Sequence, residues 1–203
     1  MRTRRGAALA TLLALLAAHA VGAEEAALER ARKIVAGSCF LCHGMRGETG
    51  SETSPRLAGQ NAAYLVKQLN NFKSGERRST VMQPMVANLG AEDIRALALY
   101  FSRQKSERQP TADSKLAAQG MLIYHRGGAA TEVAACVGCH GERGEGTESL
   151  PRLAGQVAAY IAAQLKNFGS RERTNDNAVM HTIAAKMTDA EIAAVAEYLS
   201  GLE

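Results

Sequence analysis

The pentapeptide pattern C-x-x-C-H occurs twice in this chain, at Cys39–His43 and at Cys136–His140. The two copies use all four cysteines among the 203 residues. This pattern attaches c-type haem, because its two thiols form thioethers with the haem vinyl groups and the adjacent histidine binds the iron. The sequence therefore predicts two covalently bound haem c groups. The residues predicted to hold them are the thioether cysteines Cys39, Cys42, Cys136 and Cys139 and the proximal iron ligands His43 and His140.

Other uses of paired cysteines fit this chain less well. A thioredoxin-like dithiol has one C-x-x-C in a βαβ unit, and no strand-like alternation surrounds either motif. A zinc ribbon needs four cysteines close together, whereas Cys39 and Cys136 lie 97 positions apart. Structural disulfides are the remaining alternative, although cysteines in C-x-x-C seldom cross-link distant parts of a fold.

The two motifs belong to a longer internal repeat. The hexapeptide PRLAGQ occurs at 55–60 and again at 151–156, and further identical residues follow in the same order. These further matches include Tyr64 with Tyr160, Gln68 with Gln164, Phe72 with Phe168, and Tyr100 with Tyr198. Duplication of one unit accounts for this order, so the chain is predicted to form two tandem domains of the same fold.

Each half is predicted to be helical. Apolar residues recur every three or four positions over 94–101 and over 192–199, which is the spacing of one helix face. Thr188 and Glu191 predict a capping box at the start of the last helix. Alternation typical of strands is not sustained anywhere, so the fold class is all-α. The remaining helices are predicted at about 26–35, 64–72, 114–124 and 160–168.

The chain is predicted to divide into four segments. Residues 1–23 combine a basic start, an apolar run and small residues before the expected cleavage site, which is typical of an export signal. The apolar run is short for a membrane span, which takes about 20 residues, and an uncleaved anchor is the alternative. Export predicts a periplasmic location. The other segments are a first haem domain at 24–103, a polar linker at 104–112 and a second haem domain at 113–203.

The charge of the chain gives no reason to expect a nucleic acid partner. The formal net charge is +4, and three of the basic residues lie in the predicted export signal. Without that segment, 21 basic and 20 acidic side chains remain. The basic balance of the whole chain therefore belongs mostly to the signal.

A six-coordinate haem needs a second axial ligand, usually methionine or histidine. When the halves are aligned, Met82 and Met180 coincide, 39 and 40 residues after their proximal histidines. They are the predicted thioether ligands, with packing of the protein core as the alternative role for each. Met85 aligns with Ile183 and is a weaker candidate.

Two histidines outside the motifs are alternative ligands. His181 follows Met180 directly, but its counterpart in the first half is Gln83, which cannot bind iron in its place. His125 precedes the second motif and has no histidine opposite it. Both are interpreted as partly exposed or hydrogen-bonded histidines rather than ligands.

The PRLAGQ loops are predicted to support the haem sites. The carbonyl groups of Pro55 and Pro151 are expected to accept the free N–H of the proximal histidines. Arg56 and Arg152 are expected to pair with haem propionates. The alternative is that each loop is only a tight turn into a helix.

Other repeated polar residues are less informative. Tyr64 and Tyr160 either donate hydrogen bonds to propionates or fill the core. The short charged runs at Arg77–Arg78 and Arg171–Arg173 are interpreted as solvated loops, because mixed charge runs usually are.

Together these features resemble the dihaem class I cytochromes c of the cytochrome c4 family. The resemblance rests on CxxCHG, the P-x-L-x-G-Q loops, the Met82 and Met180 positions and the helices that carry Tyr100 and Tyr198. It covers nearly the whole chain after residue 23. It implies two tandem class I cytochrome c domains whose haem propionates lie near a shared interface. One departure is that Phe72 and Met82 are two residues closer together than their counterparts.

The resemblance implies electron transfer in the periplasm, often at the membrane surface, from a quinol-cytochrome c reductase type of donor toward a terminal oxidase. A carrier needs two closed haems and no catalytic residues, so none are predicted. The first alternative is a dihaem enzyme of the peroxidase or thiosulfate-oxidising type, with one open haem. The second is a gas sensor or a haem subunit of a larger oxidase complex.

Overall fold

The computed structural model describes residues 21–203. Most of the predicted export signal at 1–23 therefore lies outside the described residues. The predicted all-α class is confirmed, and the β pairing found within 21–203 is one isolated bridge between Gly128 and Val133. No helix in this part of the chain is long and apolar enough to cross a bilayer.

The first half is built from helices joined by short turns. Helix α1 covers 21–34 and continues through a π-helical turn at Val35–Cys39 into the first C-x-x-C-H motif. The predicted helices at 64–72 and 94–101 are both present, and each extends beyond the predicted range. The helices after α1 are α2 (Phe40–His43), α3 (Ala62–Ser74), α4 (Met82–Val86) and α5 (Ala91–Ser102).

The second half repeats this order. Its helices are α6 (Ser114–Arg126), α7 (Val137–His140), α8 (Ala158–Gly169), α9 (Val179–Ala184) and α10 (Asp189–Ser200). The predicted capping box is confirmed, because the Glu191 N–H donates to Thr188 Oγ1 at 3.2 Å and the Glu191 carboxylate accepts the Thr188 N–H at 2.9 Å. Between α6 and α7 the chain forms the loop closed by the Gly128–Val133 bridge, where the first half has its π-helical turn.

Each half has its own apolar core around its last helix. In the first half, α5 packs on α3, and in the second, α10 packs on α6 and α8. Gly120 allows the close crossing of α6 and α10, because a Cβ atom there would collide with the carbonyl oxygen of Ala194. Burial of each large apolar side chain contributes about 1.5–3 kcal/mol. The buried core residues include Val35, Leu65, Leu97 and Phe101 in the first half and Tyr124, Ile161, Val195 and Leu199 in the second.

The predicted linker is packed against both halves. The N–H of Gln109 donates to the carbonyl oxygen of Ser200 at 2.9 Å, and Nη1 of Arg56 donates to the carbonyl oxygen of Glu107 at 3.0 Å. These hydrogen bonds attach the linker to Ser200 in the second half and to Arg56 in the first half. The two halves therefore meet through an ordered interface.

Candidate haem sites and the interface between them

Both cysteine pairs lie on short helical turns. All four cysteines are free thiols, so the disulfide alternative finds no support. Cys42 and Cys139 are exposed, whereas Cys39 and Cys136 are half-buried. Burial raises the pKa of the Cys136 thiol to about 11 and moves the pKa of Cys39 in the same direction. Neither pair is joined in a disulfide, so both pairs can serve as thioether attachment points.

The two proximal histidines are buried and oriented by a proline carbonyl. Nδ1 of His43 lies 2.8 Å from the carbonyl oxygen of Pro55, and Nδ1 of His140 lies 3.5 Å from that of Pro151. Within 21–203, Nε2 of neither ring has a hydrogen-bond partner. Burial lowers the pKa of both imidazoles and outweighs the opposite effect of the carbonyl. Each neutral ring therefore carries its proton on Nδ1 and presents the Nε2 lone pair to a metal.

A glycine after each histidine makes this geometry attainable. Gly44 and Gly141 have φ angles of 76° and 84°, and a side chain at either position would crowd the carboxylate of Glu48 or Glu145. Only glycine adopts this backbone conformation without steric cost. The turn returns the chain toward the proline that contacts the histidine, which explains the CxxCHG pattern.

The arginines after the two prolines have an unmet hydrogen-bonding capacity. Nε of Arg56 and Nε of Arg152 are buried and have no partner within the described residues. Burial is the main cause that lowers the pKa of both guanidinium groups. A buried guanidinium N–H without an acceptor suits a carboxylate from a bound group, as a haem propionate would supply. The residues of both sites therefore fit haem, and the assignment of these arginines to propionates stays a prediction.

The predicted methionine ligands occupy matching positions. Met82 begins α4 and Met180 is the second residue of α9, and both side chains are half-buried. Met85, the competing candidate, is 51% exposed on the next turn of α4. This difference in burial favours Met82, and iron ligation by either methionine remains a prediction.

The two alternative histidines have other partners. Nδ1 of His181 lies 2.9 Å from the carbonyl oxygen of Phe168. Nε2 of His125 lies 3.0 Å from the Tyr198 hydroxyl, and its Nδ1 lies 3.7 Å from a carboxylate oxygen of Glu142. The contacts of His125 involve both of its ring nitrogens, as expected for a histidine that does not bind iron. His181 has the same contact from Nδ1 to a carbonyl as the proximal histidines, so its interpretation as a non-ligand stays a prediction.

Two buried arginines form the centre of the interface between the halves, and here the sequence-based interpretation is wrong. Arg173 was predicted to be solvated but is only 8% exposed. Its guanidinium stacks on the Phe168 ring, 4.4 Å from the ring centroid. Its N–H groups donate to the side-chain oxygens of Tyr64, Gln68, Gln164 and Asn175 at 2.8–3.1 Å. Four neutral acceptors compensate its loss of hydration, which explains how a charged group is buried here.

Arg77 repeats this arrangement from the other domain. It is 9% exposed, and its guanidinium lies over the Phe72 ring at 4.6 Å. It donates to Gln68 at 2.7 Å, to the Tyr160 hydroxyl at 2.8 Å and to Gln164 at 2.9 Å. Arg77 therefore crosses the interface just as Arg173 does, in the opposite direction.

The roles of two tyrosines follow from these contacts. The hydroxyl groups of Tyr64 and Tyr160 accept hydrogen bonds from the arginine of the opposite domain. Burial raises the pKa of Tyr64, but the charges of Arg173 and Arg77 outweigh it and lower the pKa overall. The tyrosines thus join the domains, a role that the two sequence-based alternatives did not include.

The repeat itself contained the pattern that marks these residues. The interface pairs Gln60 and Gln156, Tyr64 and Tyr160, Gln68 and Gln164, and Arg77 and Arg173 are each 96 positions apart. A charged residue that recurs at the same point after the same phenylalanine is less typical of a variable solvated loop. That recurrence is the sequence signal from which the buried arginines could have been predicted.

Comparisons with known proteins agree with this geometry. Residues 26–101 match the family described as cytochrome C oxidase, cbb3-type, subunit III, and residues 125–203 match the family described as cytochrome c. Cytochrome c4 of Pseudomonas aeruginosa is 40% identical over 189 residues, which cover 91% of each chain. The chain belongs to the cytochrome c4 family. Cytochrome c4 proteins are dihaem electron-transfer proteins, so the chain holds two covalently bound haem c groups.

Further relatives support the same assignment. The crystal structure of reduced recombinant cytochrome c4 from Pseudomonas stutzeri superimposes with a TM-score of 0.80 at 37% identity, covering 86% of this chain and 98% of that one. A protein of Thiomonas intermedia named thiosulfate dehydrogenase electron acceptor is 39% identical over 97% of this chain and 90% of its own length. Two cytochrome c domains in tandem are therefore confirmed as the architecture.

Proposed function

We propose that this protein is a periplasmic electron carrier that accepts and donates one electron at a time through two closed haem c centres. Its proposed donor is a quinol-oxidising complex of the cytochrome c reductase type, and its proposed acceptor is a terminal oxidase. Peripheral association with the membrane surface would shorten the path between them. Each of the domains 24–103 and 113–203 carries one haem, with the thioether cysteines Cys39, Cys42, Cys136 and Cys139 and the axial pairs His43 with Met82 and His140 with Met180.

The observation that supports this proposal is the equivalence of the two sites. Each has a buried neutral histidine with a free Nε2, a half-buried arginine whose buried Nε has no partner, and a half-buried methionine at the start of a short helix. The hypothesis of a dihaem enzyme predicts instead that one site differs, with an open iron and catalytic groups beside it. Within 21–203, no group of three or more His, Cys, Asp or Glu side chains could form a further metal site.

The chain's own residues suit a carrier. Haem iron supplies the one-electron redox chemistry when bound. A thioether is a soft ligand that favours ferrous iron and raises the potential. Burial keeps the histidines neutral, and a fixed proline carbonyl holds each ring in place. Little of the protein needs to rearrange when the charge at the iron changes.

The visible spectrum of the purified mature protein tests this function. Two haems per chain, a ferric far-red sulfur–iron band and no response to carbon monoxide are expected. A haem that binds carbon monoxide in the unmodified protein would instead support the hypothesis of an enzyme or a gas sensor. Purification of the protein within a stable complex would support the hypothesis that it is a haem subunit of a larger oxidase complex.

A second candidate concerns the donor. The Thiomonas intermedia relative is named for accepting electrons from thiosulfate dehydrogenase, and its similarity extends over 97% of this chain. The alternative donor is therefore a thiosulfate-oxidising dehydrogenase. Stopped-flow reduction by such a dehydrogenase with thiosulfate, compared with reduction by a quinol-oxidising complex with quinol, separates the two. The physiological donor should reduce the protein faster than the other complex does.

A further inference from the structure

One peptide bond in each domain connects its proximal histidine to the opposite domain. The peptide between Pro55 and Arg56 presents its carbonyl oxygen to Nδ1 of His43 at 2.8 Å. The N–H of the same peptide donates to Oε1 of Gln156, in the second domain, at 2.9 Å. The chain of contacts therefore runs from the proximal imidazole through one peptide group to a glutamine across the interface.

The reciprocal contact has the same form. The carbonyl oxygen of the peptide between Pro151 and Arg152 lies 3.5 Å from Nδ1 of His140. Its N–H donates to Oε1 of Gln60, in the first domain, at 2.8 Å. The two connections cross the interface in opposite directions. Their proline, arginine and glutamine residues are each 96 positions apart in the sequence.

Both glutamine side chains are held in one orientation. Gln60 and Gln156 are 6% and 7% exposed. Each Oε1 also accepts the N–H of the following residue, at 2.9 Å and 3.0 Å, and each Nε2 donates to the carbonyl of the same arginine, at 2.9 Å and 3.0 Å. Reversing either amide would place its oxygen against a carbonyl and its nitrogen against two donors, so the acceptor faces the peptide N–H.

The physical effect of this contact has a definite sign. A peptide whose N–H is accepted by a strong acceptor is polarised, so its carbonyl becomes a better acceptor in turn. A stronger bond from Nδ1–H to that carbonyl makes the imidazole more basic toward the metal. A more basic axial ligand stabilises ferric over ferrous iron and lowers the potential.

We propose that Gln60 and Gln156 are crossed positioning residues, each of which tunes the proximal histidine, and hence the haem potential, of the opposite domain. The proposal rests on the proposed ligation of iron by His43 and His140. The effect of Gln156 on the first haem is the larger, because the His43 contact is 2.8 Å and the His140 contact is 3.5 Å. Each domain therefore sets part of the redox behaviour of its neighbour.

The test uses Gln156→Met and Gln60→Met in the holoprotein, since methionine keeps the length of the side chain but cannot accept the N–H as an amide oxygen does. An NMR-monitored redox titration follows each haem separately, and the Nδ1–H resonances of the proximal histidines are read in the reduced state. Gln156→Met should raise the potential of the first haem, with a threefold to tenfold change in its ferric-to-ferrous ratio, where tenfold is 59 mV for one electron. Gln60→Met should give a smaller rise at the second haem.

Each variant is the control for the other. If the glutamines only hold the domains together, both haems will move together in each variant, and that result overturns the proposal. A shift confined to the haem of the mutated domain, or no shift at all, overturns it equally. Failure of the proposed ligation would appear separately, as a wild-type spectrum that lacks two low-spin histidine–methionine centres.

A second pair of variants tests the same contact if the methionine variants fold poorly. Gln156→Glu and Gln60→Glu keep an oxygen acceptor for the arginine N–H, lose the donor to the arginine carbonyl and add a negative charge, which makes the acceptor stronger. The Nδ1–H resonance of the opposite histidine should stay in place or move in the direction opposite to that in the methionine variant. Movement in the same direction as in the methionine variant contradicts the proposal.

Discussion

The two domains are alike where they face each other and different where they face solvent. At the interface, the same glutamine, tyrosine and arginine recur 96 positions apart and bind across it in both directions. Beside the first C-x-x-C-H motif, Phe40, Leu41 and Met45 are 39%, 73% and 44% exposed. The residues at those positions beside the second motif are Val137, Gly138 and Glu142. The shared interior fixes the haem sites, while the exposed surfaces beside the motifs differ.

The charges follow the same division. Residues 24–103 carry 11 basic and 8 acidic side chains, and residues 113–203 carry 8 basic and 11 acidic ones. The first domain is therefore net positive and the second net negative before the haem propionates are added. Uneven charge over a protein surface is a general means of steering charged partners. Two haem sites with the same interior residues therefore lie beneath two unlike exposed surfaces.

The largest expected effect comes from removing a predicted thioether ligand. Met180→Ala should open the second haem to carbon monoxide and lower its potential by on the order of 100 mV, within the roughly 0.8 V range set by axial ligands. Met82→Ala should do the same to the first haem. Carbon monoxide titration of the visible spectrum, with potentials measured for each haem, checks both variants.

Met85→Ala is the matched control for the first domain. Its side chain is 51% exposed, so the sulfur–iron band should persist without carbon monoxide binding. Loss of that band in Met85→Ala, with Met82→Ala unchanged, would reassign the ligand. The two domains would then differ in the ligand position within their short helices.

The next largest effect is expected when one of the two buried arginines is removed. Arg77 and Arg173 have similar surroundings but make different numbers of hydrogen bonds. Arg173 donates to four side chains and Arg77 to three. Arg173→Ala leaves more buried acceptors without a donor, so it should cost about 3 kcal/mol, and Arg77→Ala about 2 kcal/mol. Urea denaturation measures both free energies of unfolding.

The exposed neighbour Arg171 is the control for these changes. Arg171→Ala should alter the free energy of unfolding by less than about 0.5 kcal/mol, because its side chain contributes to no buried network. Equal losses for Arg173→Ala and Arg171→Ala would show that burial of the arginine contributes little to the interface.

The elements whose sequence patterns are local were predicted correctly. The C-x-x-C-H copies, the helix spacing at 192–199 and the capping pair Thr188 and Glu191 each depend on residues close together in the chain. Helix spacing and helix caps can be predicted from such short-range patterns without knowledge of distant contacts. The duplication extended those predictions from one half to the other.

The interface could not be derived in the same way. Burial of Arg173 depends on Tyr64, which lies 109 positions away, and on partners in both domains. The charged run around Arg173 looks solvated when read alone, since no local rule supplies the acceptors that bury it. The short helices α4 and α9 were also missed, because five or six residues are too few to show a helical period.

A smaller effect should appear at acid pH in the caps of the two last helices. The Asp93 carboxylate accepts the Gly90 N–H at 2.8 Å and pairs with Arg30 at 2.9 Å, and these contacts lower its pKa. The Thr188 N–H is the main cause of the lowered pKa of Glu191. A depressed carboxyl pKa gives stability that is present above the unfolded values of about 4 and is lost as pH falls through the folded pKa.

Asp93→Asn and Glu191→Gln test this dependence. Each should cost about 0.5 kcal/mol at pH 6, because the amide keeps an oxygen acceptor and loses only the charge, and less at pH 2, because the wild-type carboxyls lose that charge as pH falls through their folded pKa. Added salt should weaken only the Asp93 contribution, because Arg30 is a charged partner on a partly exposed surface. Urea denaturation at both pH values, with and without salt, distinguishes the two domains. A cost that does not change with pH would contradict the assignment.

The smallest effect belongs to the loop that is two residues longer in the second domain. Before Met180, Asn177 and Ala178 have φ angles of 54° and 64°, in the left-handed region that disfavours residues with a Cβ atom. Ala178→Gly should therefore stabilise the protein by up to about 0.5 kcal/mol, because relief of the left-handed strain is partly offset by the greater entropy of glycine in the unfolded chain. Ala185→Gly, at a φ of −64° after the same helix, should destabilise it by about 0.5–1 kcal/mol, since glycine gains nothing there. Opposite signs in urea denaturation would show that the longer loop carries backbone strain, and equal signs would show that it does not.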